Sequence, residues 1–179
     1  MAVSWGKTIA AMHSSGRQAV LAITGGGSRA IAELLRIPGG SRLLLEAVVP
    51  YDSRALAAFL GAAPAQACSI ETAAAMAQRA RERATSFAPV GAHLVGLGAT
   101  ASLVSDRPKR GDHRCHIAVT TAAGTEVRSI VLKKGRRDRA AEEDLVARAI
   151  LLCLAEACGV VAPSPSKLLD ADEHYTEHG

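Results

Sequence analysis

A glycine-rich turn is the segment of this sequence best suited to chemistry. Residues 24–28 read TGGGS; they follow an apolar run at 18–23 and precede a helical pattern at 29–36. At a junction between strand and helix, glycines let a ligand approach the main chain, and the first helical amides and the helix dipole favour an anion. The turn therefore predicts a phosphate or carboxylate site formed by Gly25, Gly26, Gly27 and Ser28, with the hydroxyl of Thr24 beside it.

The turn by itself leaves a second interpretation open. The third glycine of the dinucleotide-binding pattern GxGxxG is missing, and so is the lysine of a Walker A loop. A tight crossover from strand to helix would need the same glycines and bind nothing. In either case Ser28 is the predicted N-cap of the helix that follows.

Other side chains could hold a ligand or could be ordinary surface. On a strand, His113 and Cys115 face one side and His116 the other, so we expect no metal site. Two basic groups next to predicted strands could hold a phosphate or form solvated loops. The first contains Arg107, Lys109, Arg110 and Arg114, and the second contains Lys133, Lys134, Arg136, Arg137 and Arg139.

The elements that position these residues alternate between strands and helices. Apolar runs at 18–23, 47–51 and 93–99 indicate buried strands, the second near a sheet edge because it contains Pro50. Two alternating segments joined near Gly124 predict a hairpin. Helical patterns lie at about 3–15, 29–36, 53–60, 69–83 and 140–157. We predict a three-layer α/β/α domain with a mixed sheet over residues 1–160, followed by a linker or disordered tail over 161–179.

Finer features of these elements are also predicted. Ser69 and Asp138 are the expected N-caps of the two longest helices. Glycines in the strand at 93–99 indicate that another backbone approaches it closely. Glu142, Glu143 and Asp144 begin the last helix, and we interpret them as charges that stabilise its dipole.

Composition narrows the class of protein. Of 179 residues, 49% are apolar and only 3% are aromatic, which predicts one aliphatic core. Few aromatic residues and a net charge of only +4 weigh against nucleic-acid binding. Four cysteines without a CxxC pair indicate reduced thiols in a cytoplasmic protein. The first fifteen residues have no signal-peptide pattern and no run is long enough to span a bilayer, so we expect no membrane partner.

The order of several motifs resembles the C-terminal domain of the competence/damage-inducible protein (CinA) family. Residues 24–28 are similar to the family's ESCTGG stretch, and IPGGS at 37–41 is similar to VPGSS. VVPY at 48–51 is similar to a strand that ends TYSNEAK, and GRR at 135–137 to GDR before the last helix. The resemblance spans about residues 10–158.

This resemblance implies an activity and a set of residues. Active members of the family are amidohydrolases that convert nicotinamide mononucleotide to nicotinic acid mononucleotide and ammonia, without a cofactor. The resemblance places the nucleophilic serine at Thr24, a conserved tyrosine at Tyr51 and the motif arginine, a ligand-binding residue, at Arg137. Two departures stand out: Leu56 occupies the position of the family's lysine base, and GATASL at 98–103 replaces TGIAGP.

These departures favour binding over catalysis. Because leucine cannot accept a proton, we expect a domain that binds a phosphorylated, pyridine-type nucleotide with lost or reduced amidohydrolase activity. The alternatives are an active deamidase that uses Thr24 as nucleophile, with Tyr51 in the site and Lys109 or His113 reaching it from the polar loop, and a purely structural subunit. The resemblance also leaves open a homo-oligomer and a nucleotidyltransferase-like partner domain.

Overall fold

The elements of the protein follow the alternation of apolar runs and helical patterns along the chain. A computed structural model describes residues 2–179. Within that range the chain forms α1 (Trp5–His13), β1 (Arg17–Thr24), α2 (Arg29–Arg36), β2 (Leu44–Val48), α3 (Ser53–Leu60), α4 (Ile70–Thr85), β3 (His93–Ser102), β4 (His113–Thr121), β5 (Gly124–Leu132), α5 (Arg139–Ala157) and β6 (His174–His178). Short 3₁₀ turns lie at Gly40–Arg42 and Pro165–Leu168.

The six strands form one mixed sheet in the order β2-β1-β3-β4-β5-β6. β1 pairs in parallel with β2 and with β3, and the remaining neighbours pair antiparallel. The predicted central strand is β3, and the predicted hairpin is β4–β5, which turns between Thr121 and Gly124. β2 lies at the sheet edge as expected, but it ends at Val48, before the proline that cannot donate to a ladder.

Helices cover both faces of the sheet, which confirms the three-layer α/β/α prediction. Along β1, Leu21 and Ile23 pack into the core formed with α1, α2 and α5. The alternate residues Val20 and Ala22 pack against α3 and α4 on the opposite face. A strand buried on both faces reads as a continuous apolar run, which is why 18–23 has no polar alternation. None of the helices within residues 2–179 is both long and apolar enough to cross a bilayer.

The predicted caps of the two longest helices are present. Ser69 Oγ accepts a hydrogen bond from the Thr72 amide at 3.1 Å, and Asp138 accepts one from the Ala141 amide at 2.8 Å. Each cap satisfies an amide that has no partner inside the helix. Asp138 thereby fixes the start of α5, and the position of α5 decides the geometry of the candidate site.

The C-terminal segment is ordered, in contrast to the predicted linker or disordered tail over 161–179. β6 extends the sheet by pairing with β5 from Val131↔His174 to Val127↔His178. Before it, the buried carboxylate of Glu173 accepts hydrogen bonds from the Lys133 amide at 3.0 Å and from Arg137 at 2.5 and 3.0 Å. The hydrogen bonds from Arg137 lower the pKa of Glu173 to about 2. Apolar contacts add to this order, since Leu168, Leu169 and Tyr175 pack against the core and Pro165 is buried.

Candidate functional site

The glycine-rich turn connects β1 to α2 and is held tightly against β3. Thr24, the last residue of β1, is buried and pairs with Thr100 of β3. Gly25 and Gly27 have φ angles of 78° and 94°, a region that residues with a Cβ rarely adopt. A Cβ on Gly25 would also lie 1.9 Å from the carbonyl oxygen of Ala101. The crossover therefore needs its glycines for packing, whatever else the turn does.

The amides of this turn are occupied by a carboxylate of the protein itself. Glu143, from the first turns of α5, accepts hydrogen bonds from the Gly27 amide at 2.5 Å and the Arg29 amide at 3.1 Å. The Ser28 hydroxyl donates to the same carboxylate at 3.4 Å. Ser28 is the N-cap residue of α2, as predicted, but its side chain makes no capping hydrogen bond and the carboxylate of Glu143 accepts from the amides instead. The turn does gather around a negative charge, but that charge belongs to α5.

The three acids at the start of α5 thus have individual roles that the sequence interpretation missed. Glu142 is fully buried; it accepts a hydrogen bond from the Val104 amide at 2.8 Å and lies 2.8 Å from Nδ1 of His113. Asp144 pairs with Arg29 at 2.7 Å. These contacts attach α5 to the loop before β4 and to α2, so stabilisation of the α5 dipole is not the main role of the acids.

A cavity of about 460 Å³ opens beside the turn. Its wall contains Ile23, Thr24, Gly25, Gly26, Ser28, Val49, Tyr51, Arg139, Ala140 and Glu143. Tyr51, which is 63% exposed, lies at the rim of this cavity. Thr24, although buried, contributes to the wall of this cavity. The predicted residues Thr24, Tyr51 and Ser28 and two of the three glycines therefore share one wall.

The residues that the sequence offered as a base for Thr24 lie elsewhere or cannot accept a proton. Leu56, at the position where the family has its lysine, is buried with Ala22 and Met76 beneath the turn. Neither candidate from the polar loop reaches Thr24. Lys109 donates to the Ser102 hydroxyl at 3.1 Å, and His113 pairs with Glu142 on the opposite face of the sheet.

The structure separates Arg137 from the cavity. Its guanidinium is held by Glu173 and by Asp170, on the side of α5 that carries the C-terminal segment. Arg139, a member of the same predicted basic group, lines the cavity instead. It donates to the carbonyl oxygens of Val104 at 3.0 Å and Gly25 at 2.9 Å. Arg137 precedes the N-cap Asp138, whereas Arg139 is the first residue of α5, and sequence reasoning can separate the two only once the start of the helix is known.

Three cations lie close together at this end of the sheet without carboxylate partners in the described part of the chain. Lys109 hydrogen-bonds Ser102, and Arg114 donates to the backbone carbonyl of Cys68 at 3.2 Å. Arg139 completes the group. Burial first, and the charge of Arg139 next, lower the pKa of Lys109. Uncompensated positive charge beside a cavity is the electrostatic pattern that attracts an anionic ligand.

The histidines and cysteine at 113–116 are arranged as the strand period predicts. His113 and Cys115 face α5, whereas His116 faces α4 and lies 2.7 Å from the Ser129 hydroxyl. Within residues 2–179 no cluster of three metal-ligating side chains is present.

Replacing Glu143 with alanine is expected to lower the free energy of unfolding by about 1 kcal/mol, because two amides at the start of α2 lose a charged acceptor. Urea denaturation measures the difference. Asp144→Ala is the matched control, since it removes the neighbouring carboxylate and leaves both amide contacts intact. If both variants lowered the free energy of unfolding equally, the cause would be the loss of a negative charge at the start of α5 and not the loss of the contact with the amides.

No family model and no curated protein matches the sequence, so the similarity to known proteins is found in their folds. The competence or damage-inducible protein from Enterobacter asburiae superposes with a TM-score of 0.70 at 18% identity, covering 88% of this chain and 98% of that chain. For CihA from Agrobacterium tumefaciens the TM-score is 0.60 at 17% identity, covering 89% and 96%. For a CinA superfamily protein from Enterobacter cloacae it is 0.63 at 18% identity, covering 87% and 89%. The chain therefore has the fold of the competence/damage-inducible protein (CinA) superfamily, as the order of its motifs predicts.

Proposed function

We propose that this domain binds a phosphorylated, pyridine-type nucleotide in the Thr24 cavity and has lost the amide hydrolysis that active members of the CinA family perform there. The observation that carries the proposal is the composition of the cavity wall. It joins the guanidinium of Arg139, which has no carboxylate partner within residues 2–179, the exposed ring of Tyr51 and the side chain of Thr24, while Leu56 replaces the family's lysine base.

The binding half of the proposal depends on size and charge. A volume of about 460 Å³ lies within the range of small-ligand sites. Because Glu143 occupies the amides of Gly27 and Arg29, we assign the phosphate to Arg139, whose charge has no carboxylate partner within residues 2–179. The ring of Tyr51 and the side chain of Val49 form the apolar wall on which a pyridine ring can stack.

The catalytic half of the proposal depends on proton transfer. A threonine hydroxyl becomes a useful nucleophile only when a neighbouring group accepts its proton. The buried leucine side chain at position 56 cannot do so, and removing the base of such a unit lowers the rate by orders of magnitude. We therefore expect no ammonia release that depends on Thr24.

Replacing Arg139 with glutamine is expected to weaken binding of nicotinamide mononucleotide about tenfold, since one charge-assisted contact to phosphate is worth roughly 1.4 kcal/mol. Isothermal titration calorimetry measures the dissociation constant. The riboside that lacks the phosphate should bind the parent and Arg139→Gln equally. Arg148→Gln, an exposed arginine of α5 outside this cavity, is the matched control and should bind the mononucleotide like the parent.

Two further results would revise the proposal. If Glu143→Ala tightens mononucleotide binding, the phosphate competes with Glu143 for the amides of the turn, and the original prediction for residues 25–28 holds. Ammonia release from nicotinamide mononucleotide that disappears in Thr24→Ala would establish the alternative, an active deamidase.

A further inference from the structure

A second hydroxyl group, distinct from that of Thr24, lies beside a lysine amine at the end of the central strand β3. Ser102 is the last residue of β3, and the loop that follows brings Lys109 back to it, with Nζ 3.1 Å from Oγ. Both residues are partly exposed. Lys109 also lines an open cleft of about 280 Å³ together with Ser105, Asp106, Arg107 and His113, so a small molecule can reach its side chain.

The surroundings of Lys109 favour its neutral amine. Burial and the positive charges of Arg139 and Arg114 lower the pKa of Lys109. The negative charge of Glu142 acts in the opposite direction and raises the pKa of Lys109, but burial is the largest cause and the net direction is downward. A lysine that is desolvated beside other cations can act as a base near neutral pH.

Other groups near the pair are unsuited to its chemistry. Burial raises the pKa of the Cys68 thiol, which donates to the carbonyl oxygens of Thr100 at 3.8 Å and Arg114 at 4.0 Å. Cys68 is therefore a protonated, packed residue and no competing nucleophile. Among residues 2–179 the guanidinium of Arg114 donates to the backbone carbonyls of Asp112 and Cys68 and to no carboxylate, so its charge is available to an anion.

We propose that Ser102 and Lys109 form a nucleophile–base pair that hydrolyses carboxylic esters of small anionic molecules, with Arg114 and Arg139 holding the anion. Arg139 is shared with the nucleotide proposal, but the nucleophile and the base are different residues, so a failure of nucleotide binding would leave the adduct on Ser102 as a separate test.

The reaction balances with water as the only co-reactant. Lys109 Nζ takes the proton of the Ser102 hydroxyl as its Oγ forms a bond to the acyl carbon, and the bond to the leaving alcohol breaks. The alcohol oxygen receives the proton from Nζ. Lys109 then takes a proton from water, whose oxygen attacks the acyl carbon, and Ser102 Oγ leaves and regains that proton.

A fluorophosphonate probe tests the nucleophile directly. The activated hydroxyl attacks phosphorus and fluoride leaves, which gives a stable adduct that peptide mass spectrometry locates. In the parent protein we expect the adduct on Ser102, with a labelling rate that rises with pH as Lys109 loses its proton. Lys109→Met should slow labelling about 100-fold, the usual contribution of a positioned base, and Lys109→Arg should not restore it. Ser86→Ala, at the exposed C-terminal end of α4, is the control that should label normally.

Hydrolysis of two activated esters tests the substrate class. p-Nitrophenyl succinate carries a free carboxylate and p-nitrophenyl acetate does not. We expect a higher kcat/KM for the succinate, lost in Arg114→Gln through KM, while the acetate is unaffected. Adducts spread over several serines, unchanged labelling of Lys109→Met, or equal kcat/KM for the two esters would each overturn the proposal. Because the adduct is mapped in the parent, the test does not depend on any variant folding.

Discussion

Gly98→Ala is expected to lower the free energy of unfolding by about 3 kcal/mol, near the upper end of the cost of overpacking a core. Gly98 lies in the middle of β3, where α4 packs directly on the strand. A Cβ at this position would lie 2.4 Å from the Ala77 nitrogen and 2.6 Å from the Ala73 oxygen. Both are backbone atoms of a helix that also packs against β1 and β4, so neither can move without separating the layers.

Urea denaturation of Gly98→Ala measures the loss, and Gly6→Ala is the matched control. Gly6 lies in α1, and its added Cβ would meet only Ile37 Cδ1 at 3.9 Å. The control should be neutral or slightly stabilising, because alanine is the better helix former. A loss in Gly98→Ala no larger than that of an ordinary surface substitution would mean that α4 sits farther from the sheet than described.

Glu173→Gln is expected to lower the free energy of unfolding at neutral pH by roughly 2 kcal/mol, because the ion pair that attaches the C-terminal segment is lost. Arg137 lowers the pKa of Glu173 from the ordinary value of 4.5 to about 2 in the folded protein. A depressed carboxyl pKa stabilises the fold at every pH above the unfolded value, and this contribution disappears as the pH falls from about 4.5 to about 2.

The pH dependence identifies the cause. Urea denaturation at several pH values should show the largest difference between parent and Glu173→Gln above pH 5, and the two curves should converge as the pH approaches about 2. Asp172→Asn is the matched control, since the exposed Asp172 pairs with Arg136 at the surface and should lose far less. A gap between parent and Glu173→Gln that stays constant at acid pH would show that the contact is steric and not ionic.

Much of the fold could be predicted because its signals are local. The run at 18–23, the hairpin around Gly124 and the caps at Ser69 and Asp138 each depend on residues a few positions apart. The glycines of β3 predicted that another backbone approaches the strand closely, but the sequence could not say that this backbone belongs to α4. The segment at 161–179 was missed, since ion pairs with a distant loop leave no periodicity to read.

The candidate site divides in the same way. Thr24, Tyr51 and Leu56 could be placed in advance because motif spacing along the chain carries their positions. The role of Glu143 could not, because its partners in the turn lie 114 to 116 residues away along the chain. Which of the two arginines lines the cavity, Arg139 and not Arg137, depends on where α5 begins and on how the helix is oriented against the sheet.

The sequence by itself determined the three-layer architecture, the strand–turn–helix junction at 24–28 and the absence of a lysine at position 56. Only the tertiary structure decided which charged side chains meet at this end of the sheet. Glu143 accepts from the amides of the junction, Arg139 lines the cavity beside it, and Lys109 donates to Ser102. The physical reason is that secondary structure follows from periodicity over a few residues. Charge pairing follows from distances of a few ångströms between groups that can lie more than a hundred positions apart in the sequence, as Gly27 and Glu143 do.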